Sequence, residues 1–179
     1  MVYFRYLTHF NHTNIIKYGN RPFSKLIQDS SETEPDTELM NQTLISNWNS
    51  KIGKDDKVFH LGDFAFGNKN KIKDIIPQLN GYKILVMGNH DKRNKPQFYL
   101  DSGFREVYRF PIIYQQWYIL SHEPVFMNSS MPYINIYGHT HNTLLSTTNA
   151  KGQNGYRNVC VEQLNYFPIT FEELLKREK

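Results

Sequence analysis

Six of the seven histidines in this chain stand where short apolar segments end, close to aspartate and asparagine residues. Imidazole nitrogens combined with a few carboxylate and amide oxygens form sites for Zn, Mn, Fe and similar divalent ions. The presence of a single cysteine argues against a structural zinc centre built on a cysteine cluster. We therefore interpret these positions as a metal site. The candidates are His9 and His12 in THFNH, Asp63 in GDFAFG, Asn89, His90 and Asp91 in GNHD, His122 in SHEP, and His139 and His141 in GHTH.

The number of candidate donors predicts two ions, because it exceeds the number that one ion uses. Asp63 follows Gly62, so its carboxylate can stand clear of the backbone and bridge two ions. Two ions about 3.5–4 Å apart can clamp a phosphoryl group and generate hydroxide. Gly88 and Gly138 also precede candidate residues, where glycine permits tight turns and close backbone approach. Each of these glycines taken alone is equally compatible with an ordinary turn.

The segments that must position these donors have the pattern of an α/β protein. Continuous apolar strands interleaved with helices are typical of a sheet that is buried on both faces. In such sheets, sites gather at the carboxyl ends of the strands. The predicted strands are Val2–Leu7 and the apolar parts of KVFHLGDFAFG, YKILVMGNHD, WYILSHEP, YINIYGHTHN and GYRNVCVEQ.

Three helices are predicted between and after these strands. The first begins near Asp36 or Thr37, where apolar residues recur at three- and four-residue spacing. The second runs from about Asn68 to Leu79, and the last is the C-terminal TFEELLKREK with its Thr170–Glu173 capping box. The stretch SKLIQDSSETEPDTE is rich in Ser, Thr, Asp and Glu, and we expect a loop there.

Length and composition are those of a single folded domain covering residues 1–179. The content of 39% hydrophobic and 15% aromatic residues excludes a disordered chain. The net charge of +4 suits a phosphate-bearing substrate, but no clustered basic stripe indicates a dedicated nucleic-acid binder. The lone Cys160, the lack of an apolar run of about 18 residues and the lack of a secretory signal predict a soluble cytoplasmic protein without a membrane partner.

The motifs GD, GNHD, a single histidine and GHTH, in this order, resemble those of the calcineurin-like metallophosphoesterases. The longer context is similar to a small phosphoesterase subgroup of phages and bacteria. This context comprises HFNHTNIIKYGNRPF, MNQTLISNWN, HLGDFAFG, LNGYKILVMGNHD and NIYGHTHN, and it extends over nearly the whole chain. The resemblance implies a four-layer α/β/β/α sandwich with a dinuclear metal site at the strand ends.

The resemblance also implies a role for each candidate residue. His90 faces the scissile phosphate and acts as an acid or stabilises charge, while Asp91 orients His90. A metal-bridging hydroxide attacks phosphorus in line. The implied metal ligands are His9 and His141 for the first ion, Asp63 between the ions, and Asn89, His122 and His139 for the second ion.

Leu7 departs from the family pattern, which begins with Asp-x-His and places an aspartate at this position. Tyr6 is a poor ligand and Asn11 lies on the wrong side of His9, so a shift of register does not restore the carboxylate. Three protein ligands can still hold a catalytic metal. Three interpretations stay open: a weakened but fillable first site, a change specific to this sequence, or a natural one-metal or non-catalytic variant.

Four further residues have two interpretations each. His12 either lines the substrate pocket or caps the turn that follows it. Arg21 either contacts a phosphate oxygen or is a surface arginine before a proline turn. His60 is interpreted as a core histidine rather than a ligand, and Asn142 either turns toward the site or ends the turn after GHTH.

The function that these features predict is metal-dependent hydrolysis of phosphate esters, with phosphodiesters favoured. The substrate is expected to be a small phosphate ester or a nucleotide. A phosphomonoesterase or nucleotide hydrolase is the nearest alternative. A non-catalytic phosphate- or partner-binding protein on the same scaffold is the alternative from another class. Leu7 favours that alternative, whereas retention of His90 speaks against it because a binding protein has no need of an acid.

Overall fold

The computed structural model describes residues 1–141 and 143–177. Asn142 and the last two residues of the predicted C-terminal helix lie outside the described residues. In chain order the elements are β1 (Val2–Arg5), α1 (Thr13–Tyr18), β2 (Ser24–Leu26), β3 (Thr33–Pro35), α2 (Thr37–Lys51), β4 (Lys57–His60), α3 (Lys69–Ile75), β5 (Tyr82–Val86), α4 (Pro96–Ser102), β6 (Glu106–Tyr108), β7 (Ile112–Tyr114), β8 (Tyr118–Leu120), β9 (Ile134–Tyr137), β10 (Tyr156–Asn158), β11 (Ile169–Thr170) and α5 (Phe171–Lys176).

Two larger sheets carry the predicted motifs. The first has the strand order β11-β1-β4-β5-β6, with β1, β4, β5 and β6 parallel and β11 antiparallel to β1. The second has the order β10-β9-β8-β7, with β8, β9 and β10 parallel and β7 antiparallel to β8. Every predicted metal ligand lies in the loop that follows a parallel strand of one of these sheets. His9 and His141 lie further along their loops than the other ligands do.

The alternation of side chains along the strands of the first sheet divides the core in two. Tyr3, Val58 and Leu85 project to one face and pack with the apolar residues of α1 to α4. Phe4 and Ile84, on the opposite face, pack with the inward side chains of the second sheet. The first sheet is therefore buried on both faces, by helices on one side and by a second sheet on the other. The prediction of an α/β fold is confirmed.

Helix α2 begins where the sequence predicted. The Asp36 carboxylate accepts a 2.9 Å hydrogen bond from the backbone N–H of Leu39 and so caps the first turn. The buried face carries Met40, Leu44 and Trp48, each of which is inaccessible to solvent. At the C-terminus, the predicted capping box of Thr170 and Glu173 also opens helix α5 as expected.

The second predicted helix is shorter than expected. Asn68 caps it as predicted, but the α-helical part ends at Ile75 and continues as a 3-10 turn, Ile76–Gln78. Pro77 accounts for this change, because proline lacks the N–H that an α-helix needs at an interior position.

The stretch SKLIQDSSETEPDTE is not simply a loop as predicted. It forms a small antiparallel hairpin in which Lys25 of β2 pairs with Glu34 of β3. Both strands lie at the surface, and the Lys25–Glu34 ion pair of 3.4 Å is itself exposed. Polar composition hid this hairpin, because an exposed two-stranded ribbon needs no apolar face. No helix among the described residues has both the length and the apolar character required to cross a membrane.

Candidate metal centre

The carboxylate of Asp63 lies among three imidazole rings. Its Oδ2 atom is 3.6 Å from Nε2 of His122 and 3.9 Å from Nε2 of both His9 and His90. The other oxygen, Oδ1, accepts a 3.0 Å hydrogen bond from the backbone N–H of His90. This bond fixes the carboxylate and leaves Oδ2 directed toward the ring nitrogens. The residue that the sequence singled out as a bridge therefore occupies the middle of the cluster.

A tight group of donors surrounds His122. Its Nε2 atom lies 2.8 Å from Oδ1 of Asn89 and 3.1 Å from Nδ1 of His139. The ligand atoms of Asp63, His122 and His139 all lie within 4.8 Å of one another, so this group could hold a metal ion. All four residues were predicted from the sequence as donors at strand ends.

His9 and His141 form the other side of the cluster. Their rings are nearly parallel, with centroids 5.9 Å apart and an interplanar angle of 8°. The His90 ring stands edge-on to His9 at the same centroid distance of 5.9 Å. Within the described part of the chain, Nδ1 of His9 is buried without a hydrogen-bond partner. The other ring nitrogen, Nε2, is the one that faces the Asp63 carboxylate.

Burial sets the charge state of the metal-free cluster. Removal from water, together with the nearby Asp91, raises the pKa of Asp63 to about 7. Burial and the neighbouring His139 lower the pKa of His122 to about 3, and burial also lowers the pKa of His9 well below its usual value. Neutral imidazole is the form that binds metal. His9 and His122 are therefore neutral at neutral pH and can bind a cation.

Several residues of the cluster have left-handed backbone conformations. The φ angles are +48° at His9, +51° at Asp63, +57° at His139 and +48° at His141, and Leu7 has +53°. Such conformations are uncommon outside glycine and cost of order 1–3 kcal/mol each. The loops that carry the cluster therefore hold backbone strain.

Glycines allow the strand ends to approach each other closely. Gly62 has φ of +98°, and a Cβ atom there would collide with Gly88 and with the ring of His122. A Cβ atom on Gly88 would overlap the Asp63 carboxylate. The prediction that glycine here permits close approach is confirmed.

Tyr6 belongs to the cluster, although sequence reasoning considered it only as a poor ligand. Its hydroxyl contacts Nδ1 of His122, which also lies 3.2 Å from the carbonyl oxygen of Leu61. With Nδ1 protonated, His122 can donate to these oxygens and keep Nε2 for a metal. A Cβ atom on Gly138 would enter the Tyr6 ring, which explains the glycine at that position. Tyr6 and His122 are 116 residues apart in the sequence, so local patterns could not reveal this contact.

Asp91 has a different place from the one predicted. Its carboxylate accepts hydrogen bonds from the backbone N–H groups of Asp63 at 2.7 Å, Gly88 at 2.9 Å and Phe64 at 3.0 Å. Among the hydrogen bonds of the described residues, none joins it to the ring of His90. Asp91 therefore holds the loops after β4 and β5 together, and it positions the backbone of Asp63 rather than the ring of His90.

Arg21 fits neither of its two interpretations, because it is buried rather than at the surface and its guanidinium is occupied by protein groups rather than open to a phosphate oxygen. Its guanidinium is buried and donates to the carbonyl oxygens of Thr8 at 2.9 Å and Leu7 at 2.8 Å. Nε and the second N–H of Nη2 donate to Oε1 of Glu162. These contacts use the hydrogen-bond donors of Arg21, which therefore holds the loop after β1 in place.

Glu162 is the residue of this region that sequence reasoning missed. It lies in the 3-10 turn Val161–Leu164, with its side chain only 4% exposed, and its Oε1 atom is 3.3 Å from Nδ1 of His141. Burial alone would raise the pKa of Glu162, but the hydrogen bond from His141 and the charge of Arg21 outweigh it and lower that pKa. A carboxylate that stays ionised therefore stands behind the His141 ring.

An aromatic wall flanks the cluster on the side of His9. The ring of His12 stacks on Phe66 at 3.8 Å and 6°, and Phe66 lies 4.4 Å from the ring of His90. His12 is the N-cap residue of α1, as its capping interpretation expected, although its side chain makes no capping hydrogen bond. His60, by contrast, is fully buried and contacts the hydroxyl of Thr8 at 2.9 Å, as expected for a core histidine.

A cavity of about 180 Å³ opens beside His122. Lys92 and Arg109 line it with two positive charges, Glu123 adds one negative charge, and Phe110 and other apolar residues complete it. The excess of positive charge next to the metal cluster suits an anionic ligand.

Comparison with known proteins gives relatives without an assigned activity. No protein-family profile matches the chain. The chain is 36% identical over 180 residues to the uncharacterized protein MJ1445 of Methanocaldococcus jannaschii, covering 94% of this chain and 86% of that protein. A shorter match, 37% identical over 70 residues, links 37% of this chain to 34% of the gene 66 protein of Mycobacterium phage L5.

Among solved structures, the crystal structure of the protein of unknown function AQ665 from Aquifex aeolicus is similar to the chain. The TM-score is 0.67 with 28% sequence identity, and the match covers 98% of each chain. The same α/β fold therefore occurs in that protein over its whole length. Given the extent and identity of the archaeal match, the chain belongs to the same protein family as MJ1445.

Proposed function

We propose that this protein is a metal-dependent phosphoesterase that hydrolyses phosphodiesters and is related to the calcineurin-like metallophosphoesterases. The observation that carries the proposal is the position of Asp63, whose Oδ2 atom lies within 3.9 Å of ring nitrogens from three different loops. A two-ion site requires a carboxylate that both ions can share, with further ligands from several strand ends around it.

The donors divide into two sets around Asp63. His9 and His141, with their parallel rings, would hold the first ion, and Asn89, His122 and His139 would hold the second. Nitrogen and oxygen donors of this kind suit Mn, Zn or Fe. When bound, such ions supply a hydroxide nucleophile at neutral pH and neutralise the charge on the phosphoryl oxygens.

His90 has the position of a general acid. Its side chain is 32% exposed, while its Nε2 atom stays 3.9 Å from the Asp63 carboxylate at the mouth of the cluster. Burial, together with Arg93 and His139, lowers the pKa of His90. In the metal-free protein the lowered pKa leaves the ring largely neutral at pH 7, and the negative charge of a bound phosphate would raise that pKa toward the range in which the ring can donate a proton.

The surroundings of the cluster favour a phosphate ester as the substrate. The cavity beside His122 is lined by Lys92 and Arg109, and a phosphodiester keeps one negative charge next to whatever group it carries. The stacked rings of His12 and Phe66 add aromatic groups beside His90. A nucleotide or another small phosphate ester matches both features.

We also propose the four-layer α/β/β/α sandwich as the finer description of the fold. The four helices α1 to α4, the first sheet and the second sheet supply three of these layers. In such an arrangement both sheets deliver loops to one edge, where the cluster lies.

A non-catalytic phosphate- or partner-binding protein is the second candidate, and Leu7 is the observation that favours it. Leu7 is 1% exposed and belongs to the apolar cluster between the sheets, so it adds no oxygen to the first ion. This candidate predicts phosphate binding without turnover.

A paired hydrolysis assay tests the proposed function. Purified protein would be freed of metal and supplied in turn with Mn²⁺, Zn²⁺ or Fe²⁺, and assayed with bis-p-nitrophenyl phosphate and with p-nitrophenyl phosphate. Metal-dependent release from the diester at the higher rate supports the proposal. Faster release from the monoester would assign the phosphomonoesterase activity instead. Phosphate binding with no release from either substrate would favour the non-catalytic candidate.

A further inference from the structure

Glu162 and Arg21 form a buried ion pair behind the first set of metal donors. Nη2 of Arg21 lies 2.7 Å from Oε1 of Glu162, and the two side chains are 0% and 4% exposed. The same Nη2 atom donates to the carbonyl oxygen of Leu7 at 2.8 Å. The pair therefore links the end of β1, which leads to His9, with the turn that faces His141.

The geometry of this pair differs from that of a purely structural arginine–carboxylate fork. A fork uses both carboxylate oxygens, one for each N–H group. Here both Nε and Nη2 of Arg21 bond Oε1, which also receives the contact from His141. In the part of the chain that the structure describes, Oε2 is buried without a hydrogen-bond partner. The Glu162 carboxylate thus has an oxygen atom, Oε2, that accepts no hydrogen bond from Arg21.

The contact between Glu162 and His141 determines which ring nitrogen is free. Nδ1 of His141 lies 3.3 Å from Oε1 of Glu162, so a proton on Nδ1 is stabilised by the carboxylate. Nε2 then has a lone pair to offer a metal ion. Histidines that bind metals commonly donate their other N–H to a carboxylate in this way, which fixes the tautomer and raises the basicity of the ligand.

We propose that Glu162 is a positioning residue for the first metal ion, acting through His141 and supplying the negative charge that Leu7 does not. The inference rests on the proposed metal site. It explains how the first ion is held by His9, His141 and Asp63 alone. The Glu162 carboxylate raises the basicity of His141 as a ligand and offsets part of the cation's charge. An aspartate at position 7 would contact the ion directly, whereas the His141 ring lies between Glu162 and the ion.

The test combines metal titration with the tautomer of His141. Metal-free wild-type protein and the Glu162→Gln variant would be titrated with Mn²⁺ alone by calorimetry. The double variant Arg21→Met, Glu162→Leu removes both buried charges, and it serves if the single variant does not fold. Glu173→Gln, which alters the capping box of α5, is the matched control for loss of a carboxylate with a structural role. Long-range ¹H–¹⁵N spectra of the metal-free proteins report the tautomer of His141.

We expect the Glu162→Gln variant to bind one of two Mn²⁺ ions about 10- to 100-fold more weakly, with the other unchanged. Glu173→Gln should bind both ions as the wild type does. The wild-type His141 should carry its proton on Nδ1, and the double variant should lose that preference. Wild-type affinity for both ions in a folded Glu162 variant, or a proton on Nε2 in the wild type, would overturn this inference alone. If the wild-type protein bound no Mn²⁺, the proposed function would fail together with it.

Discussion

The backbone carbonyl of Leu7 accepts a 2.8 Å hydrogen bond from Nη2 of Arg21, which fixes the main chain at the position where the resemblance to metallophosphoesterases expects an aspartate. Leu7 itself adopts φ of +53°, a conformation that leucine rarely takes and that aspartate and asparagine tolerate better. An aspartate at position 7 would adopt this conformation at a lower cost than leucine does.

Restoring the carboxylate with Leu7→Asp should tighten the binding of Mn²⁺ at the first position, on the order of tenfold or more, because ligand charge strongly sets the affinity for a divalent ion. The metal-free variant should be less stable, since it replaces a buried apolar side chain with a carboxylate. Leu7→Asn is the matched control, with the same shape and no charge. Calorimetric titration with Mn²⁺ checks the prediction, and equal affinities in the two variants would contradict it.

Removal of the Tyr6 hydroxyl should weaken the second metal position. Tyr6→Phe keeps the ring that packs against Gly138 but removes the contact with Nδ1 of His122. Loss of such a partner typically lowers metal affinity about 10- to 100-fold. Tyr137→Phe also removes a buried hydroxyl, one that accepts from the backbone of Leu145, and should leave metal binding unchanged. Tighter or equal binding of Mn²⁺ by Tyr6→Phe would rule out this role for the hydroxyl.

His90→Gln should separate proton transfer from metal binding. The backbone N–H of His90, which bonds Asp63, is retained in the variant. We expect kcat for bis-p-nitrophenyl phosphate to fall on the order of 10²- to 10⁴-fold, as for loss of a general acid. The Mn²⁺ content per chain should not change. A variant with wild-type kcat would show that the leaving group receives its proton elsewhere.

The stability of the metal-free protein should fall in acid, in part through His60. Burial and the nearby charges of Arg5 and His122 lower the pKa of His60 well below its usual value of 6.5. As the pH falls below 6.5, His60 takes up a proton in the unfolded chain but stays neutral in the native protein. The free energy of unfolding therefore falls by about 1.4 kcal/mol per pH unit for this group.

Urea denaturation of wild type and His60→Gln at several pH values below 6.5 isolates this contribution. The variant should lose stability less steeply in acid. Asp63, whose pKa is raised to about 7, acts with the opposite sign, because the native state binds its proton first. The comparison of the two proteins, rather than the total slope of either, is therefore the test. Parallel curves would contradict the assignment.

Much of the site could be predicted from the sequence because its donors follow strand ends. Asp63, His122 and His139 each come shortly after an apolar run, and the parallel strands bring their carboxyl ends to one edge. Helix α2 was predictable for a similar reason, since the Asp36 cap and the apolar spacing are both local signals.

The remaining features depend on contacts between distant parts of the chain. Arg21 and Glu162 are 141 positions apart, and nothing near either residue indicates that they pair in the interior. Asp91 is next to His90 in the sequence, but its carboxylate instead accepts hydrogen bonds from backbone N–H groups of a neighbouring loop. Tertiary packing, which local patterns do not encode, assigned these three side chains to their places.

The Mn²⁺ content per chain, measured by elemental analysis after equilibration and removal of free metal, tests most directly whether Asp63 joins two ions. The wild-type protein should contain two ions per chain. Asp63→Asn should contain markedly less, because the neutral amide cannot bridge two cations. A wild-type protein without Mn²⁺, or an Asp63→Asn variant with the wild-type content, would contradict the assignment of this cluster as a dinuclear metal centre.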